Sequence, residues 1–304
     1  MNTKLGAPVQ AGRRTRPGPG WLLALALVCM TGPLSAAGER PLSVFVTVVP
    51  QQTFVERIGG SVVRVQPMVR PGQSPHTYEP TPRQVAELAA ADLYIGVGVP
   101  FEDAWLPRIS ASNPGLKVID ARQGIELRTG DPEHADHDHG GDGRDSHIWT
   151  SPPLVKRMGA QIRDALSALR PDQALLFGAN YDRFAADLDA LDSEIRARLA
   201  SLTDRRFLVF HPAWGYFADT YGLTQVPIEY RGKEPGARAL AAAIDQARAA
   251  GIRVVLVQPQ FSPRTAEQVA AAIDGRVEAV DPLSADYFAT LRRLAGLIAD
   301  SGHR

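Results

Sequence analysis

The chain of 304 residues holds a single cysteine, Cys29. One cysteine can form no disulfide within the chain and no thiolate cluster. Any metal site must therefore be built from imidazole, carboxylate or backbone oxygen. An excess of charge of either sign is also missing, because 33 Lys and Arg balance 33 Asp and Glu. That balance gives no pointer to nucleic acid. Beyond the first forty residues no apolar run approaches the ~20 residues that cross a bilayer. Several signatures of catalysis are absent too: no Walker loop, no dinucleotide fingerprint, no His-Glu-x-x-His and no Gly-x-Ser-x-Gly. What is left is 44% hydrophobic and 22% charged. This is an ordinary globular composition, with length for one large domain or two lobes.

The first residues differ from the rest. Lys4, Arg13, Arg14 and Arg16 carry positive charge, and no acidic residue precedes Glu39. An apolar run follows from Trp21 to Met30, then Thr31-Gly32-Pro33 and the small residues Ser35-Ala36-Ala37. This order predicts a signal peptide over residues 1–37, cleaved near Ala37, and hence export to the periplasm. Val28 before Cys29 is too large for a typical lipidation site, so simple cleavage is the preferred reading over a lipid anchor. Cleavage removes four positive charges and the cysteine, leaving a net charge of about −4.

After the leader, short β-branched runs alternate with helical patterns. Val44–Val49, Val62–Val69, Leu93–Val97 and Lys117–Ile119 read as strands, with no element assigned between Val49 and Val62. Gln84–Ala90 and Glu102–Ser110 read as helices. Thr81-Pro82-Arg83-Gln84 is a capping box with proline at the first helical position. The second half reads as strands Phe207–Phe210, Val226–Ile228, Val254–Val257 and Val277–Val280. Helices Trp214–Tyr221, Ala237–Ala249, Thr265–Ile273 and Ala285–Ala299 alternate with them. Between the halves lie a helix over Ser151–Leu169 and an amphipathic helix of about thirty residues from Pro171, unusually long for a globular protein. The prediction is an α/β fold of two Rossmann-like lobes of parallel sheet flanked by helices. The lobes span residues 38–170 and 203–304, joined by one long rigid helix over 171–202.

Seven histidines are present, and three share a context. His76 sits in Pro75-His76-Thr77-Tyr78-Glu79-Pro80, His147 in Ser146-His147-Ile148-Trp149-Thr150. His211 ends the strand Phe207–Phe210 and precedes Pro212-Ala213-Trp214-Gly215-Tyr216-Phe217. Asp281 ends the last strand in the same way, before Pro282. One such histidine is most often an ordinary hydrogen-bonded residue. Four such residues at the carboxyl edges of strands, two on each side of the long helix, point to one site between the lobes. Three imidazoles and a carboxylate suit tetrahedral zinc, and four protein ligands favour carriage over catalysis. Glu79 rivals Asp281 for the fourth place. Asp145 or Asp142 would orient a ligand ring from behind. Gln258 and Gln260 point to the same edge, and His303 is a terminal residue without context.

The stretch 128–146 is a separate signal. His134, His137 and His139 stand there among Asp131, Glu133, Asp136, Asp138, Asp142 and Asp145, with Gly140, Gly141 and Gly143. Nothing in it can form a core, so it reads as a mobile loop and a weak auxiliary metal collector, or equally as a plain solvated insertion.

The motifs Pro75-His76-Thr77-Tyr78-Glu79-Pro80-Thr81-Pro82, Ser146-His147-Ile148-Trp149-Thr150-Ser151-Pro152, Phe210-His211-Pro212-Ala213-Trp214-Gly215-Tyr216-Phe217 and Val280-Asp281-Pro282-Leu283 resemble a known family. It comprises the periplasmic zinc-binding receptors of ABC importers, the ZnuA-type members of the zinc/manganese-binding cluster A-I group. The resemblance spans nearly the whole chain after the leader. It implies two lobes on a rigid helix with metal in the cleft. It also implies zinc as transported ligand, a membrane permease as partner, a monomer and no catalytic activity. His76 and His147 would come from the first lobe, His211 and Asp281 from the second. Manganese-binding relatives carry Glu at the position of His211, so the third histidine favours zinc. The remaining alternatives are a manganese or iron receptor of the same family and, in another class, an exported zinc hydrolase. Two departures stand out: the disulfide that some relatives carry in the second lobe cannot form here, and the histidine loop is short.

Overall fold

The computed structural model of the chain describes residues 12, 40–129, 143–229 and 235–301. The expected leader over 1–37 with Cys29, the loop residues His134, His137, His139 and Asp142, and His303 lie outside the described residues. Pro41–Arg304 form one compact unit.

The first half runs β1 (Leu42–Val46), α1 (Val49–Gly59), β2 (Val63–Pro67), α2 (Pro82–Ala89), β3 (Leu93–Gly96), α3 (Pro100–Ser112) and β4 (Lys117–Asp120). These strands form a four-stranded sheet in the order β2-β1-β3-β4, and every pairing is parallel. Val44 of β1 pairs with Val65 of β2 and with Leu93 of β3. The connecting elements are α4 (Pro152–Leu169) and α5 (Ala174–Leu199), the latter 26 residues long after a 3-10 turn at Pro171–Gln173.

The second half runs β5 (Arg206–Val209), α6 (Gly215–Tyr221), β6 (Thr224–Pro227), α7 (Ala237–Ala249), β7 (Val254–Val257), α8 (Pro263–Ala272), β8 (Arg276–Ala279) and α9 (Tyr287–Ser301). Its sheet order, β6-β5-β7-β8, repeats that of the first, again all parallel. In each sheet the first strand lies between the second and third. Connections therefore depart to both sides, and a crevice opens beyond the carboxyl ends of the central strands. β3 and β7 are buried along their whole length, as a parallel sheet covered on both faces requires.

One hydrophobic core runs from Val44 and Phe54 in the first half through Phe184, Leu188 and Leu191 of α5 to Phe207, Val209 and Leu294 in the second. A smaller cluster around Leu208, Val255 and Val269 covers the other face of the second sheet. Helix α5 packs against α1, α4 and α9, so it contacts both halves. Thr53 Oγ1 donates to Ala285 O at 2.9 Å, and Trp149 Nε1 donates to Pro282 O at 2.9 Å; both bonds tie the halves together. Among the described residues no helix is long and apolar enough to cross a membrane.

One element departs from the sequence reading. The expected strand Val44–Val49 ends at Val46, and α1 begins at Val49. The β-branched run Val46-Thr47-Val48-Val49 continues from β1 into the helix, which hides the boundary. Gln51 makes it: its Oε1 accepts from Thr47 N and Val48 N, both at 3.1 Å, and Pro50 sets the first turn. Phe54, Val55 and Ile58 then face the core at helical spacing.

Candidate metal centre

His76 lies in the connection between β2 and α2. The expected capping box forms: Gln84 N donates to Thr81 Oγ1 at 3.3 Å and Thr81 N donates to Gln84 Oε1 at 3.1 Å. The same glutamine donates from Nε2 to Met68 O at 3.0 Å, pinning both ends of the loop. Within it His76 N donates to Ser74 Oγ at 3.3 Å. The ring is half-buried, and the neighbouring Tyr78 packs edge-on against Phe101 at 4.9 Å.

His147 precedes a 3-10 turn, Ile148–Thr150, that leads into α4. It is 5% exposed and the Asp145 carboxylate behind it 6%. Asp145 Oδ1 accepts from His147 N at 2.9 Å and stands 2.8 Å from His147 Nδ1. Burial works to raise the Asp145 pKa. The hydrogen bonds from His147 and the Arg128 guanidinium outweigh it and hold the carboxyl below the usual aspartate range. An ionised carboxylate only accepts, so Nδ1 is the donor in this contact and Nε2 is the ring nitrogen that could ligate a metal.

His211 follows β5 and repeats this arrangement. Its Nδ1 stands 2.6 Å from Oε1 of Glu229, which is 3% exposed. Gln258, just past β7, holds the backbone: His211 N donates to its Oε1 at 3.2 Å, and its Nε2 donates to His211 O at 2.7 Å. Phe261 stacks on the His211 ring at 5.1 Å.

The three rings converge. His76, His147 and His211 stand at centroid separations of 5.3, 5.2 and 5.3 Å, a near-equilateral triangle. One nitrogen from each lies within 4.8 Å of the others. Tetrahedral zinc wants its donors about 3.3 Å apart, a gap closed by side-chain adjustments of about an ångström. The rings border a cavity of ≈ 20 Å³, completed by Ser74, Pro75, Gln258, Gln260, Phe261, Pro282 and Leu283. That volume admits an ion or one water molecule.

Asp281 stands beside this group, outside the 4.8 Å cluster of the three histidines. Its Oδ1 accepts from Gln260 Nε2 at 3.0 Å and from Leu283 N at 2.9 Å. The next residue, Pro282, borders the cavity. Glu79 is exposed and also lies outside the cluster. Both glutamines expected at this edge are there, Gln258 on His211 and Gln260 on Asp281. The sequence reading left out Glu229. The signal for it was position: it follows Val226-Pro227-Ile228 at the carboxyl end of β6, beside the strand that ends in His211.

Residues 44–301 match the family described as zinc-uptake complex component A, periplasmic, ZnuA. The zinc-binding lipoprotein AdcA of Streptococcus pneumoniae serotype 4 (strain ATCC BAA-334 / TIGR4) is 29% identical over 271 residues, covering 86% of this chain and 54% of AdcA. The chain thus spans about half the length of that relative. The high-affinity zinc uptake system protein ZnuA of Bacillus subtilis (strain 168) is 29% identical over 261 residues, covering 83% of this chain and 81% of the relative. Among solved structures, a ZnuA deletion mutant with zinc bound is similar at a TM-score of 0.79 and 40% identity, covering 87% of this chain and 99% of that one. Two parallel sheets of repeated topology, a long joining helix and three converging imidazoles agree with that match over nearly all the described residues, and the chain belongs to the ZnuA family of periplasmic zinc-uptake components.

Proposed function

We propose that this chain is the zinc-capturing receptor of an ABC importer. It binds one zinc ion through His76, His147 and His211, with Asp281 as fourth ligand, and hands it to a membrane permease. The observation that carries this reading is the triangle of imidazoles around a cavity of ion size. The carboxylates behind His147 and His211 fix the tautomer in which Nε2 faces the ion. The names of the relatives, zinc-binding and zinc-uptake proteins, support the same cargo.

Three nitrogen donors favour zinc over manganese, which prefers oxygen. Asp281 is preferred to Glu79 because its Oδ1 is hydrogen-bonded to Gln260 and Leu283, two residues of the cavity lining, while Glu79 is exposed. The names of the family and of its relatives, zinc-uptake components, favour carriage over an exported zinc hydrolase. We take the lobes as 38–170 and 203–304, joined by 171–202, and the protein as an exported monomer acting in the periplasm after loss of residues 1–37. The core shared by both lobes makes capture a local event, with little hinge motion.

The test is metal analysis of protein purified without added metal, beside a His76→Ala variant. Zinc near one equivalent in the first and little in the second supports the reading. Zinc retained by the variant, or a different metal in the parent, overturns it.

A further inference from the structure

Arg128 lies far from the metal in sequence terms, at the start of the His/Asp-rich stretch, yet it reaches both lobes. Its guanidinium Nε stands 3.5 Å from Asp145 Oδ2, the oxygen that His147 does not use. Its Nη1 pairs with Asp219 of α6, and the guanidinium carbon lies 5.9 Å from the Tyr216 ring centroid. The backbone joins in: Arg128 N donates to Tyr216 Oη at 3.0 Å, and Tyr216 Oη donates to Asp145 O at 2.8 Å. Asp145 N donates back to Arg128 O at 3.1 Å. Gly215 opens α6 beneath this pair. A Cβ there would lie 2.7 Å from Arg128 Nε and 3.0 Å from Asp145 Oδ2, so the Arg–Asp pair fills the space that a side chain would need.

These contacts join two ligand-bearing segments. Asp145 holds His147 of the first lobe, while Gly215, Tyr216 and Asp219 belong to the helix that follows His211 in the second. We propose that Arg128 is a positioning residue for zinc capture. It locks Asp145 against the start of α6 and so keeps the His147 ring in register with His211. The proposal rests on the reading that His147 binds zinc. An exposed ion pair would do little here. Asp145 is buried, however, and shares its two oxygens between Arg128 and His147, so a change at Arg128 reaches the ligand through one carboxylate.

The experiment measures zinc dissociation constants by chelator competition for the parent protein, Arg128→Ala, Arg128→Lys, Asp145→Asn, Arg128→Ala with Asp145→Asn, and His147→Ala. Groups behind a metal ligand change affinity by roughly 10–100-fold. Arg128→Ala is expected to weaken zinc about tenfold, at the low end of that range, and Arg128→Lys to recover part of the loss. In the Asp145→Asn background the same change should cost under about twofold, because its route to the ligand is gone. Nitrogen NMR of His147 should show loss of the fixed Nδ1-H tautomer in Arg128→Ala. An affinity within about twofold of the parent, or an equal loss in both backgrounds, overturns the proposal. If His147→Ala keeps zinc at full affinity, the ligand assignment itself fails and the proposal with it.

Discussion

His147 and His211 are held differently from His76. The first two are each about 5% exposed, each with Nδ1 on a buried carboxylate and a neighbouring aromatic ring. His76 is half-buried on the irregular segment between β2 and α2, anchored at its ends by Gln84. Two of the proposed ligands are therefore preorganised by the fold, and the third rides on a loop. A carrier must release its cargo as well as hold it. On the proposed function, a rigid pair with one adaptable arm would give specificity through the pair and an exit path through the arm.

The largest expected effect is removal of a ligand. Structural zinc sites bind with about 10–16 kcal/mol, so one of four ligands is worth about 3 kcal/mol, or about a hundredfold in affinity. His76→Ala, His147→Ala and His211→Ala should all lose zinc on this scale in a chelator competition. Their stabilities should separate them. His211→Ala leaves buried Glu229 short of a hydrogen bond and should cost about 1–3 kcal/mol in urea unfolding of the metal-free protein. His76→Ala should be near neutral. Equal destabilisation by both would break the contrast.

Next in size is Glu229→Gln. The amide still accepts from Nδ1 but no longer supplies a charge, so zinc affinity should fall about 10–100-fold with the fold intact. An unchanged dissociation constant by competition titration would remove Glu229 from the account.

A smaller effect is expected at the loop. Pro75 restricts the backbone just before His76, and Pro75→Gly adds freedom worth about 0.4–1 kcal/mol. Zinc binding should weaken about two- to fivefold, with the loss appearing mainly in the association step by stopped flow. A loss of a hundredfold would mean that His76 is as rigidly held as the other two.

The smallest effect concerns a carboxylate away from the metal. Glu102 is buried on α3 and accepts from Val97 N at 3.1 Å, Gly98 N at 2.8 Å and the Thr47 and Tyr94 hydroxyls. Burial still prevails over these donors and raises its pKa, the opposite of Asp145. The folded protein therefore binds this proton more tightly than the unfolded chain. Stability from Glu102 is greatest in acid and falls as pH rises from about 4.5 through the raised value. Glu102→Gln should flatten that decline in thermal unfolding, seen as a parent-minus-variant difference that shrinks with pH, while zinc affinity stays unchanged. A difference that grows with pH would reverse the sign of the argument.

Much of this was legible in the sequence. Alternating β-branched runs and helical patterns predict both parallel sheets, because strands buried on two faces read as continuous apolar segments. The same property concealed α1, since Val46, Thr47, Val48 and Val49 are all β-branched and pass from strand to helix without a break in that pattern. The three histidines were marked in the sequence by aromatic and proline neighbours, though only His211 lies at a strand end, His76 being on a loop and His147 before a 3-10 turn. Their partners were not equally so. Asp145 is two residues from His147 and competes in sequence only with Asp142, whereas Glu229 reaches His211 across neighbouring strands and depends on the pairing of β5 with β6. Arg128 is further still from view, because its role depends on α6 meeting the first lobe at a glycine.

X-ray absorption of the zinc-loaded protein tests the central claim most directly. Three imidazole nitrogens and one oxygen at about 2.0–2.1 Å are expected, with one imidazole lost in each of His76→Ala, His147→Ala and His211→Ala. A parent spectrum with fewer than three imidazoles, or one that any of these substitutions leaves unchanged, would contradict it.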